Sequence, residues 1–259
     1  MRVIRLAVVL ASAVGCAGCF EMTTVLKVGG DGTGTIEHRM VFTPQALKQL
    51  AMLAGTTGKP VDPLSEQQAR DMASVLGDGV TFVSSTPITT PAGQGRDAIY
   101  AFTDVNRLKI STLPPTPGGV AVRAGGISTD GEGVTFSLTR EASGSAVLHI
   151  NVPEPGWLDS LGTPNGASQF GLITKLLAGA HVLLAAEPTG ELVRTSSPFV
   201  QGSRVTLLEI DLDQVMKDDT LIPRLQAADN AEARKTVIKN AAGLKINFDR
   251  EITLEFNPR

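Results

Sequence analysis

Thr24-Val25-Leu26-Lys27-Val28-Gly29-Gly30-Asp31-Gly32-Thr33-Gly34-Thr35-Ile36-Glu37-His38 decides the fold class. On one side of its glycines Met22, Thr24, Leu26 and Val28 alternate with Thr23, Val25 and Lys27. On the other, Ile36, His38, Met40 and Phe42 alternate with Thr35, Glu37 and Arg39. Period-two alternation belongs to strands with unlike faces. Glycines between them supply the positive φ angles that a tight turn demands. The reading is a β-hairpin over 22–42.

Outward from that hairpin the period changes. Thr43 before Pro44 reads as a helix cap with a first-turn proline, and Leu47, Leu50, Ala51 and Ala54 recur at helical spacing up to Gly55. Ser65 with Gln68 is a capping box ahead of the stripe Ala69, Met72, Ala73 and Leu76. Strands are expected at 80–83 and 98–102, parted by a loop bearing proline and glycine. A second hairpin is expected from 134–138 and 146–152 around 141–145. The Pro- and Gly-bearing stretch 153–166 reads as irregular, and a short helix over 168–177 follows. Further strands are expected at 181–186, 191–195 and 205–210. Asp211 with Gln214 caps a helical turn, Asn230 opens a helix over 231–242, and a closing hairpin is expected around Asp249-Arg250, pairing 244–248 with 252–256.

Strand runs interrupted by separate helices, without βαβ alternation, indicate an α+β fold with mainly antiparallel sheet and short helices packed on one side. The proline run at 113–119 cannot continue a ladder. It either divides the domain into lobes 22–112 and 118–259 or is a loop within one domain.

Composition narrows the function. The chain has 259 residues, 42% hydrophobic and 19% charged, within the globular range. Aromatics are 4%, with Trp157 and Tyr100 the sole members of their kinds, too few for base-stacking platforms. The net charge is −3, and losing Arg2 and Arg5 with a leader takes it to −5. An acidic domain repels nucleic acid and anionic lipid alike.

The first residues give an address. Arg2 and Arg5 precede an apolar run from Leu6 to Val14 that is too short to span a bilayer, and Gly15-Cys16 closes it. Ser12-Ala13-Val14-Gly15-Cys16 resembles the bacterial lipobox, whose cysteine carries diacylglycerol after the leader is cut. Cys16 is the expected lipidation site and Cys19 the alternative; the other 240 residues after position 19 contain no cysteine. On this reading 1–15 is a signal peptide, 16–21 a lipidated tether and 22–259 an exported domain. Neither cysteine is followed by aspartate, the inner-membrane retention residue of the enterobacterial pattern. The resemblance therefore implies the cell envelope, and the outer membrane in a Gram-negative source.

No catalytic constellation emerges. Gly29-Gly30-Asp31-Gly32-Thr33 resembles the nucleotide signature of diacylglycerol and NAD kinases, but a strand follows where a phosphate loop needs a helix N-terminus. His38, His149 and His181 stand apart without metal-ligand spacing, and His149, between Leu148 and Ile150, faces away from both toward solvent. No GxSxG elbow occurs. Asp218-Asp219 reads as a solvated helix end. Trp157, within Pro155-Gly156-Trp157-Leu158, covers the end of a core or touches lipid or a partner.

The order of these parts, a lipobox, an Asp31-Gly32-Thr33-Gly34-Thr35 hairpin, two helices and then strands, resembles the LppM-type bacterial lipoprotein domain. The stretch 190–197, followed by Gly202 and Val205-Thr206-Leu207, is similar to that family's second motif of a strand, a turn and a paired strand. Ser196 and Ser197 stand where the family's turn carries asparagine. The resemblance spans 21–215 and implies an extracytoplasmic α+β domain with proposed lipid or envelope binding and no catalysis. The expected function is a non-enzymatic envelope lipoprotein, a binding or structural module. It is expected to be monomeric, to use no cofactor or metal, and to meet the membrane through its lipid and an envelope protein or lipid as partner. The alternative is a lipid or glycolipid carrier with an apolar groove between the sheet and helices 44–54 and 66–76.

Overall fold

A computed structural model describes residues 20–48, 62, 64–111, 133–153 and 179–258. Cys16, Cys19 and Trp157 lie outside them. So do most of helix 44–54, the boundary at 113–119, and the expected irregular stretch and helix between 154 and 178.

The expected first hairpin forms from β1 (Phe20–Val28) and β2 (Gly34–Phe42), in register from Phe20 opposite Phe42 to Val28 opposite Gly34. It is the centre of an eight-stranded sheet. Beside β2 lies β4 (Gly93–Phe102), and beyond it the edge strand β3 (Thr81–Thr90). On the other flank β1 pairs in parallel with β8 (His181–Pro188), the one parallel pairing among the described strands. Next comes β11 (Arg204–Asp211), which pairs with both β10 (Val200–Gln201) and β12 (Leu244–Ile246).

A second sheet has five antiparallel strands in the order β5 (Lys109–Ile110), β6 (Val134–Arg140), β7 (Ala146–Asn151), β13 (Glu251–Asn257) and β9 (Glu191–Thr195). The fold is α+β with antiparallel pairing dominant, as its patterning requires. Strands from both sides of residues 113–119 share each sheet: β1 pairs with β8, and β5 with β6.

Among the described residues four helices have both ends in view: α1 (Glu66–Leu76), α2 (Leu212–Lys217), α3 (Leu221–Ala227) and α4 (Ala231–Lys239). Ser65 accepts from the Gln68 amide at the start of α1, Asp211 from Gln214 at α2 and Asn230 from Ala233 at α4, so each side chain satisfies one of the amides left free by the first turn. Residues 44–48 are helical, and Thr43 Oγ1 accepts from the Ala46 amide. Under α1, Leu26, Ile36, Tyr100 and Phe82 form one row across four strands. The Tyr100 hydroxyl donates to Ala69 O at 2.8 Å, while Ala69, Met72 and Leu76 are buried against the sheet. One continuous apolar core joins these residues to Leu148, Ile150, Ile252, Leu254 and Phe256 of the second sheet.

Several expectations need correction. Residues 244–246 and 251–257 do not form a closing hairpin; β12 joins β11 while β13 joins β7 and β9 in the other sheet. Alternation fixes which face is buried but not the partner. Likewise β9 does not pair with β11: each belongs to a different sheet, so the motif at 190–207 is not a strand with its paired return. The loop between 83 and 98 is two residues, not a long one, because β3 runs through Pro87 and β4 begins at Gly93. An edge strand tolerates proline. Helix α3 was not expected; Thr220 gives it no side-chain cap and Pro223 sits in its first turn. Helix α4 stops at Lys239 rather than 242, ahead of Gly243 at φ +83°.

Candidate functional site

The glycine-rich turn is closed on itself. Asp31 Oδ1 accepts from the Thr33 amide at 3.0 Å and its hydroxyl at 2.8 Å, the Gly29 amide donates to Thr33 O, and the Gly32 amide to Gly29 O. These bonds, the Thr33 hydroxyl first, hold the Asp31 carboxyl below its ordinary range. Outward, the turn docks on the second sheet. Gly32 O accepts from the Val105 amide at 2.9 Å, and Gly30 O from Arg140 Nε at 3.0 Å. Gly30 lies so close to Pro258 that a Cβ would come within 2.4 Å of its ring. The Gly29, Gly32 and Thr33 amides serve the turn, and the Gly30 and Gly32 carbonyls join it to β6 and to the 3-10 turn at Val105–Arg107.

The histidines fall into three environments. His149, on the outer face of β7, has Nδ1 2.5 Å from Glu251 Oε1, which accepts, and Nε2 3.4 Å from Thr139 Oγ1, with Leu148 and Ile150 fully buried on the opposite face. A hydroxyl, an imidazole and a carboxylate thus lie in series on β6, β7 and β13. All three are solvent-facing, and the adjoining amides belong to the ladders, so no oxyanion donors converge on Thr139. His181 lies 3.4 Å from Glu209, which also takes Lys245 at 2.7 Å. Burial acts to raise the Glu209 carboxyl, but the hydrogen bonds from Lys245 and His181 outweigh it and hold it low.

His38 differs from both. It sits on the core face at the middle of the eight-stranded sheet, 7% exposed, with Nδ1 2.9 Å from Thr24 Oγ1 and Nε2 without a partner among the described residues. Its cross-strand neighbours are Thr24 and Ala98. Desolvation pushes its pKa down to about 4, so the ring is neutral at pH 7. The alternation that paired Thr24 with Leu26, and His38 with Ile36, already placed both polar side chains on the apolar face.

A second buried polar group was not foreseen. Asn247 Nδ2 donates to Thr206 O at 3.0 Å and Leu207 O at 3.3 Å, and its Oδ1 accepts from Ser197 Oγ. Ser196 bonds Thr253 through both its amide and its hydroxyl. The serine turn at 196–197 therefore clasps β13 and the chain after β12. Asp218 follows α2 as a helix-end residue, accepting from the Thr220 hydroxyl and amide and pairing with Arg224; its carboxyl is lowered, by the Thr220 hydroxyl first. An open depression of about 550 Å³ lies where the β8–β9 and β10–β11 turns meet the end of β13, lined by Gly190, Glu191, Leu192, Gly202, Ser203, Asn257 and Pro258. No group of three or more metal-ligating side chains occurs among the described residues. None of the described helices is long and apolar enough to cross a membrane.

No known family model matches the chain. No curated protein matches it either. Among solved structures it is similar to the NMR structure of the Mycobacterium tuberculosis LppM folded domain, at 9% identity over 95% of this chain and 93% of that one, with a TM-score of 0.34. This is a weak structural similarity.

Proposed function

We propose that the chain is an exported lipoprotein whose α+β domain works without catalysis, as a binding or structural module of the cell envelope. The observation that carries the choice of module over carrier is the packing of α1 on the sheet. Tyr100, fully buried, occupies the room between helix and sheet that an acyl chain would need, and donates its hydroxyl to the helix backbone at Ala69. The address rests on Ser12-Ala13-Val14-Gly15-Cys16, with Cys16 as the acylated residue and Cys19 three positions on. Acyl chains contribute about 0.8 kcal/mol per buried CH₂, so attachment needs no contact from the acidic domain itself.

Metabolic labelling with palmitate tests the anchor. Label is expected to be lost in Cys16→Ala and kept in Cys19→Ala; label lost only in Cys19→Ala moves the site, and label in neither parent nor variant removes the lipoprotein reading. An acyl fluorophore added to the detergent-free domain separates module from carrier, with saturable binding that a fatty acid displaces favouring the carrier. Trp157, the single tryptophan, reports whether residues around it enter lipid.

A further inference from the structure

We propose that the Thr24–His38 pair is an acid-sensitive latch at the centre of the eight-stranded sheet, closed when the ring is neutral and released when it takes a second proton. Neutral imidazole suits the place: one nitrogen meets Thr24 Oγ1 at 2.9 Å, and the neighbours of His38 on that face of the sheet are Ile36 and Met40 along β2 and Thr24 and Ala98 across it. Protonation makes both nitrogens donors. Nε2 then carries a proton and shared positive charge with no acceptor among the described residues.

Among the described residues no neighbouring charge offsets it. On the core face β1 contributes Met22, Thr24 and Leu26, and β8 contributes Val182, Leu184 and Ala186, none of them titratable. On β4 the flanking groups are Arg96 and Tyr100. Arg96 is itself cationic and is engaged by Ser85 and Leu64 O, while the Tyr100 hydroxyl is committed to Ala69 O and pushed above its ordinary range by burial. From α1 the sheet receives Ala69, Met72 and Leu76, and its Glu66, Arg70 and Asp71 are exposed. Glu37 and Asp97, alternating with His38 and Ala98, project from the opposite face.

The sign follows from the two titrations. An unfolded histidine takes its proton near pH 6.5, and the folded His38 ring only at about 4. Between those values the unfolded chain binds more protons, so this residue's contribution is whole above about pH 6.5 and falls as the pH drops toward 4. The fall is about tenfold in the folding equilibrium per pH unit.

The test uses the full chain in mild detergent, with urea unfolding between pH 7.5 and 4.5 and imidazole NMR of the folded protein. His38→Gln retains a partner for Thr24 and cannot charge, and His38→Leu removes both properties. The native protein is expected to lose stability across pH 6.5–4.5 by about tenfold per unit more than His38→Gln, with the His38 ring still neutral at pH 5. Equal pH slopes in native protein and His38→Gln would overturn the latch. So would a folded His38 ring that titrates near 6.5, a result that needs no variant to fold.

Discussion

Asn247 is 5% exposed and uses both ends of its amide, giving to two carbonyls of β11 and receiving from Ser197. Those carbonyls sit where the pairing of β11 with β8 shifts register between Thr206 and Leu208. A bulge leaves ladder groups unpaired, and the side chain collects them. Asn247→Ala removes the side-chain donor to two carbonyls and the acceptor of the Ser197 hydroxyl, at a cost of about 2–3 kcal/mol; a urea midpoint unchanged from the parent would refute this assignment. Asn247→Asp, which sets a carboxylate against the same carbonyls, is expected to fare worse. Nothing local to 244–250 announced this role, since Asn247 follows a three-residue strand and its partners lie 40 or more positions away in sequence. Thr24 and His38, by contrast, were legible as core-facing, because alternation assigns a face to every residue in a strand. What alternation does not assign is the partner or the missing second bond.

At the level of elements, β3 is the exposed edge of the larger sheet and carries no charged residue over Thr81–Thr90. Long uncharged edges invite pairing with another chain. Three features guard this one. Val83 is the extra residue where pairing shifts between Phe82 and Ser84, the Arg96 guanidinium reaches Ser85 O, and Pro87 lacks an amide hydrogen. Counting back in twos from the closing pair Thr90–Gly93, residue 87 turns its backbone away from β4. Pro87→Thr therefore restores a donor to the open edge without adding a bond to β4. Concentration-dependent association by light scattering is expected, and a variant that remains as dispersed as the parent would show the edge to be protected by other means. The first hairpin, the hairpin of β6 and β7, and the caps at Ser65, Asp211 and Asn230 were all readable, because each is fixed by residues within a few positions. The fates of β9, β12 and β13 were not readable. Leu244, Ile246, Ile252, Leu254 and Phe256 satisfy a hairpin and a sheet exchange equally well, and only the tertiary core decides between them.

Across the whole molecule four of the passages between the sheets are short: Phe102 to Lys109 through a single 3-10 turn at Val105–Arg107, Pro188 to Glu191, Thr195 to Val200, and Ile246 to Glu251. The glycine turn at 29–34 reaches from the larger sheet to β6 and the 3-10 turn, and residues of both sheets share one core. Neither sheet keeps its buried face if the other leaves. A single thermal transition is expected, with amides of β2 and of β7 losing hydrogen-exchange protection together; two separated transitions would mean that the joints are weaker than their geometry. The parallel pairing of β1 with β8 sets Phe20 in the interior of the larger sheet rather than at its margin. Phe20 is the fourth residue after Cys16, a span of at most about 14 Å when fully stretched. A lipid on Cys16 would thus be a short leash fastened to the middle of the sheet. The rim bearing Phe20, Phe42, His181 and Asp211 would be turned toward the bilayer, and the opposite rim, with the glycine turn and the 550 Å³ depression, presented away from it.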